Sequence, residues 1–357
     1  MNSLARSWNW LKWLVAAALL AWLFFSNRTA LQKIADTPKA WGYLLLALLM
    51  IGGATLVTFY RWYLLVCGQQ IPFRLRDALR LGFIGLVANY VAPGSVGGDI
   101  VKAVLMAREQ SSRRTVAIAT VVLDRALGML SLLLLGACAT LFPAPALQQI
   151  VTQHHRLQAV GWLMWGGSLA GLSGLALMLT PAFTHSRLLA WFTRIPKFGP
   201  LLAELIQGVE LYQSRRDTVL KALVLGILSQ GGIIVGFYFC ARWMNQNWQP
   251  DLLTHFFFMP SAELFGAFVP LPAGMGALEA AVQFFYEALR PESVSPQTAQ
   301  GAGLLASLAF RVVTLIVAAC GGGYYLTARQ KIDEALAQPA ASQPASSPPS
   351  NPPPIPG

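Results

Sequence analysis

Apolar blocks run the whole length of this chain, and each must be hidden from water. Stretches 11–26, 41–66, 115–142, 157–180, 219–240 and 299–326 are candidates to cross a bilayer as helices. A hydrocarbon core of about 30 Å takes about 20 helical residues to cross. No gap between blocks is long enough for a large soluble domain. Hydrophobic residues make up 55% of the chain and charged residues 11%, against about 25% charged in a soluble globular domain. Mean hydropathy is +0.53. The fold class expected is all-α, a polytopic integral membrane protein.

Two further apolar stretches, 81–107 and 252–288, are broken in the middle by glycine and proline. The first contains Asn89-Tyr90-Val91-Ala92-Pro93-Gly94-Ser95-Val96-Gly97-Gly98-Asp99, the second Pro270-Leu271-Pro272-Ala273-Gly274-Met275-Gly276 with Glu279 following. Backbone interrupted at membrane depth must be shielded by protein or face a wet cavity, because lipid cannot satisfy freed amides and carbonyls. Charge bias tests whether these stretches cross or turn back. If both are re-entrant hairpins and the N-terminus is cytoplasmic, the cytoplasmic side receives 17 of the 26 basic residues and the outside six. The cytoplasmic groups include Arg74, Arg76 and Arg80, then Lys102, Arg108, Arg113 and Arg114. A single crossing by 81–107 would split those two groups, against the positive-inside tendency. The expectation is six full spans and two re-entrant helical hairpins, with both termini cytoplasmic in a bacterial inner membrane.

The two hairpins then enter from opposite sides, each between two spans. Pro93, Gly97 and Asp99 are followed by Arg125; Pro272, Gly276 and Glu279 are followed by Arg311. This spacing suggests an inverted repeat, a recurrent transporter plan. The expected units are 1–40, an N-terminal membrane helix and external loop; 41–142, the first half; 143–218, a connecting span and basic cytoplasmic segment; 219–330, the second half; and 331–357, a Pro/Ala/Ser-rich disordered tail. The tryptophan-rich block 11–26 lacks a small-residue cleavage site and is expected to be a retained helix.

A net charge of +11 can point to nucleic acid, but here the basic residues gather in short loops between apolar blocks. Anionic headgroups are the simpler partner. Cys67, Cys138, Cys240 and Cys320 form no C-x-x-C, and the four histidines make no ligand-spaced set. No metal, cofactor or nucleic-acid partner is expected. Of the histidines, His255 is the least badly placed for chemistry.

Charges inside apolar helices cost at least about 2.5–3.5 kcal/mol, which singles out Asp124, Arg125 and Arg311. Arg125 is expected to meet a hairpin acid such as Asp99, and Arg311 is expected to meet Glu279. Asp99, after Gly97 and Gly98, either caps a helix or joins exposed amides in gripping a phosphate or coupling ion. Glu279, near Gly274 and Gly276, repeats the choice. Glu263 either couples transport to protons or lies near the interface. Asn89 and Tyr90 offer neutral hydrogen-bonding groups at similar depth. Arg61, beside Tyr60, Trp62 and Tyr63, is a headgroup contact or an interfacial anchor.

With these motifs and Val122-Leu123-Asp124-Arg125-Ala126-Leu127-Gly128, the chain resembles the flippase-like family that includes the transmembrane part of lysylphosphatidylglycerol synthase, over about residues 10–330. The resemblance implies movement of a phospholipid or lipid-linked headgroup between leaflets, with Asp99, Arg125 and Glu279 at a polar centre. No aminoacyltransferase domain is expected after residue 330, so any lipid-modifying enzyme would be a separate partner. The expected function is translocation of an anionic phospholipid or lipid-linked headgroup, held by Arg125, Arg311 and the hairpin-tip acids in a cavity between the two hairpins, without covalent catalysis. The alternatives are a transporter of a small soluble anion and a membrane-embedded lipid-modifying transferase.

Overall fold

The computed structural model describes residues 39–90, 97–110, 113–141, 150–152, 154–181, 199–244, 248–269 and 276–337. The expected first span at 11–26, Gly274, both hairpin tips and the tail beyond Ala337 lie outside the described residues. All elements within them are helical.

The helices are α1 Trp41–Gly68, α2 Leu75–Asn89, α3 Gly97–Glu109, α4 Arg114–Leu141, α5 His155–Met178, α6 Gly199–Ser214, α7 Arg216–Trp243, α8 Leu252–Phe268, α9 Ala277–Ala288 and α10 Pro296–Ala337. Among the described residues five stretches are long and apolar enough to cross a membrane: α1, α4, α5, α7 and Pro296–Gly323 of α10. Their outer faces carry large apolar side chains in the open, such as Leu45, Leu163 and Val224 at 61, 62 and 64% exposure. Water would not tolerate so much continuous apolar surface. The protein is an integral membrane protein. Helix α10 runs to Ala337, past the boundary at 330 drawn from the sequence.

The two interrupted stretches form short antiparallel helix pairs. In the first, Arg80 of α2 pairs with Glu109 of α3, and Asn89 of α2 meets Gly98 of α3. In the second, the rings of Phe258 on α8 and Phe285 on α9 stack at 5.5 Å, while Gly266 faces Leu278. Helix α8 stops where Val269 takes an extended conformation, φ −80° and ψ 126°, ahead of Pro270; a residue before proline is pushed out of the helical region.

The centre of the molecule is the crossing of α1 and α7. Ala40 meets Trp243, Ala54 faces Gly232 and Arg61 faces Gly226, so the two helices run antiparallel. Small residues set the approach: a Cβ added at Gly232 would lie 3.1 Å from that of Ala54. Close backbone approach of this kind is how helices associate where lipid offers no hydrophobic drive. Around this axis the packing repeats. Among these eight helices, exchanging α1 with α7, α2 with α8, α3 with α9 and α4 with α10 leaves the set of substantially packed pairs unchanged, while α5 and α6 pack outside the exchange.

Candidate functional site: a charged cavity between the helix pairs

A cavity of about 380 Å³ lies between α1, α2, α3, α4, α7 and α8, with Leu278 of α9 at its edge. Its walls carry three cations, Arg61, Lys102 and Arg125, and three carboxylates, Asp99, Asp124 and Glu263.

Asp99 is the third residue of α3, where helical amides lack intrahelical partners. One of these, the Gly98 amide, donates to Asn89 Oδ1 at 2.7 Å. The Asp99 carboxylate is directed to cations. Nη1 of Arg125 donates to its Oδ2 at 2.6 Å, and Nζ of Lys102 lies 2.8 Å from its Oδ1. Lys102 also sits over the Trp62 ring at 5.1 Å. The sequence reading put Lys102 in a cytoplasmic loop; in the structure it is buried one turn into α3. Its spacing of three from Asp99 was the available signal, since such neighbours share a helix face. The close approach of α2 and α3 depends on glycine: a Cβ on Gly98 would collide with the Gly85 carbonyl.

Asp124 and Arg125 are adjacent on α4 and turn to different partners. Asp124 meets Arg61, which was read from sequence as a headgroup contact or an interfacial anchor. The structure places Arg61 at 3% exposure, its Nε donating to Asp124 Oδ1 at 2.8 Å and its Nη2 to the Asp124 carbonyl at 3.0 Å. Gly128 and Gly226 leave room for the guanidinium; added Cβ atoms there would come within 3.3 and 3.2 Å of it. Arg61 Nη1 has no hydrogen-bond partner among the described residues. The same holds for Oε1 of Gln230 and Oε1 of Glu263. All three residues line the cavity.

Glu279 and Arg311 form the matching pair of the second half, outside the cavity lining. Glu279 is the third residue of α9, as Asp99 is of α3. Arg311 donates to Glu279 Oε1 through Nε at 2.7 Å and also through Nη2. Glu279 Oε2 accepts from the Gly276 amide at 2.7 Å. Gly276 has φ 85°, a conformation suited to glycine. The structure thus brings together both acid–arginine pairs expected from the sequence, but it does not place Arg311 in the same cavity as Arg125.

The remaining expected residues divide. Gly97 opens α3 and is buried. Tyr90 lies at the end of α2 with its hydroxyl 2.8 Å from Thr314 Oγ1 on α10, away from the cavity lining. Glu263 lines the cavity. His255 is held by Asp251 O at 2.7 Å from Nδ1 and by Tyr286 Oη at 3.2 Å from Nε2, with no exposed surface. It joins α8 to α9 and does not face the cavity.

Comparison with known proteins supplies one match. The model of the family described as "Lysylphosphatidylglycerol synthase TM region" covers residues 9–322. No curated protein and no solved structure matches the chain.

Proposed function

We propose that this chain, which belongs to the lysylphosphatidylglycerol synthase transmembrane-region family, moves an anionic phospholipid or lipid-linked headgroup between membrane leaflets. The observation that carries this reading is the cavity with Arg61 Nη1, Gln230 Oε1 and Glu263 Oε1 buried and unpartnered in its walls. Buried polar atoms nearly always have hydrogen-bond partners. A cavity lined by three residues that each keep a buried polar atom without a partner among the described residues, one donor and two acceptors, suits a polar guest.

A phosphate reaching Arg125 would replace the Asp99 carboxylate, one charge-assisted hydrogen bond for another, while Lys102 keeps Asp99 compensated. Arg61, on the same cavity, holds a second donor, Nη1, that is without a partner among the described residues. Acyl tails stay in hydrocarbon throughout, so only the headgroup needs the polar route. No bond is made or broken in the lipid, and the protein acts as a transporter rather than an enzyme. Modification of the headgroup would fall to a separate enzyme. Asp99, Glu263 and Glu279 are the groups available to couple a proton or ion.

The topology proposed with this mechanism has α2–α3 and α8–α9 as re-entrant hairpins from opposite faces, in an inverted repeat, with both termini cytoplasmic in a bacterial inner membrane. Three features support it. The four hairpin helices have 15, 13, 17 and 12 residues, short of the ~20 needed to span. The packed pairs among the eight helices of the two halves are the same when the halves are exchanged. The exchanged partners α1 and α7 run antiparallel.

The test is leaflet exchange in reconstituted vesicles, using a tail-labelled phosphatidylglycerol and a membrane-impermeant quencher. Exchange faster than in protein-free vesicles is expected; equal rates overturn the proposal. Uptake of free glycerol phosphate without lipid exchange would instead identify a transporter of a small soluble anion.

A further inference from the structure

Beside the charged cavity lies a second space of different character. It is a groove of about 740 Å³ along the seam of α3 and α4, walled by apolar side chains including Val104, Ile118 and Val122. Val104 and Val122 are 45 and 63% exposed, so the groove opens toward lipid. Asp99, Arg125 and Met129 line both spaces, which makes the Asp99–Arg125 pair their common wall. At its other end the groove is lined by Arg108 and Arg114, both exposed and neither paired with an acid among the described residues. From Arg114 to Arg125 is eleven residues of α4, or about 16 Å at 1.5 Å per residue. That is close to half of a hydrocarbon core of about 30 Å, the depth of one leaflet.

We infer that the α3–α4 groove seats one anionic phospholipid, its phosphate at Arg108 and Arg114 and an acyl chain along the groove, and that its headgroup enters the charged cavity past Asp99 and Arg125. This rests on the translocation reading and adds the entry side and the first binding station. Charge complementarity selects the occupant. The groove has basic groups at the interface end, an apolar wall one leaflet long and an ion pair at the inner end. A second groove supplies the contrast within the same protein. It has about 670 Å³ between α4, α5, α8 and α9, includes Leu163 and Phe268, and is lined by no charged side chain. Both grooves take acyl chains, but only the first has a reason to prefer an anionic lipid.

The experiment uses the full chain in phosphatidylcholine vesicles doped with phosphatidylglycerol carrying a photoactivatable acyl chain, with crosslinks mapped by peptide mass spectrometry. Crosslinks should concentrate on the Val104–Val122 groove over the Leu163–Phe268 groove. Photoactivatable phosphatidylcholine should show no such preference. Replacing Arg108 and Arg114 by glutamine should lower the preference by about fivefold per arginine removed, and these exposed positions hold no packing contact whose loss would unfold the protein. Val104→Trp, which fills the groove and leaves every charge in place, should reduce both the crosslink and leaflet exchange. Equal crosslinking of the two grooves, or a preference unchanged in the double variant, overturns the inference while leaving translocation standing. Absence of leaflet exchange with the crosslink preference intact removes translocation and keeps the groove as a lipid seat.

Discussion

Arg311 and Glu279 hold a helix end in place: Nε of Arg311 donates to Oε1 of Glu279 at 2.7 Å, and the other carboxylate oxygen accepts from the amide of Gly276 at 2.7 Å. One carboxylate thereby fixes the start of α9, the positive-φ turn before it and the middle of α10. Both side chains are buried, with 8 and 10% of their surface exposed. Asp99 and Arg125 repeat the pairing at 21 and 24% exposure, on the wall of the cavity. The two pairs are alike in chemistry and differ in access.

That difference separates stability from transport. Arg311→Gln leaves a buried carboxylate uncompensated, a loss of about 3–5 kcal/mol. The expected result is a lowered thermal unfolding midpoint in detergent, with exchange lost through unfolding. An unchanged midpoint would show that the pair carries no structural load.

Asp99→Asn keeps the shape of the side chain and removes its charge where Arg125 and Lys102 remain. The cost to stability is set by Lys102, left as a buried cation without its carboxylate. It should lie below the figure of about 3–5 kcal/mol for the buried pair, because Asp99 and Arg125 are partly exposed. Leaflet exchange should nevertheless fall at least about tenfold, which corresponds to about 1.4 kcal/mol on the barrier. Exchange at the wild-type rate in a folded Asp99→Asn protein would remove this pair from the transport route.

Arg61 makes two bonds to Asp124, its third nitrogen has no hydrogen-bond partner among the described residues, and the residue lines the cavity. Arg61→Lys should recover much of the stability lost in Arg61→Ala, because a charge still faces Asp124. It should not recover exchange, because an ammonium cannot reproduce the fork of donors. Comparing unfolding midpoints with exchange rates for the two variants reads this directly. Full transport by Arg61→Lys would limit Arg61 to charge balance.

Gly98→Ala drives a methyl into the Gly85 carbonyl and should destabilise by about 1–3 kcal/mol through overpacking. Gly52→Ala is the control: nothing lies within 4 Å of the added carbon, so the change should be neutral or gain up to about 1 kcal/mol in helix propensity. Thermal unfolding of the two variants side by side checks the close approach of α2 and α3.

The charges on apolar helices were legible before any coordinates, because hydrocarbon tolerates so few of them. Asp124, Arg125 and Arg311 stood out, and an acid just after each hairpin turn named a partner for two of them. Arg61 leaves two readings open in the sequence for a physical reason. Near a helix end beside aromatic residues, an arginine that snorkels to the interface and one that turns inward to a carboxylate have the same local sequence. Lys102 was assigned to a loop because a lysine after an apolar run marks a membrane edge in most chains, whereas here it folds back over Trp62 toward Asp99. Gln230, neutral and lying among glycines on α7, carried no signal.

By itself the sequence determined that this chain lives in a membrane, where its long helices lie and which charges must find partners there, because each follows from the cost of placing a group in hydrocarbon. Only the tertiary structure decided that Arg125 and Arg61 line one cavity and that Arg311 is not in its walls. Those facts depend on how α1 and α7 cross and on which glycines let neighbouring helices approach. Packing, unlike transfer cost, is settled between residues far apart in the chain.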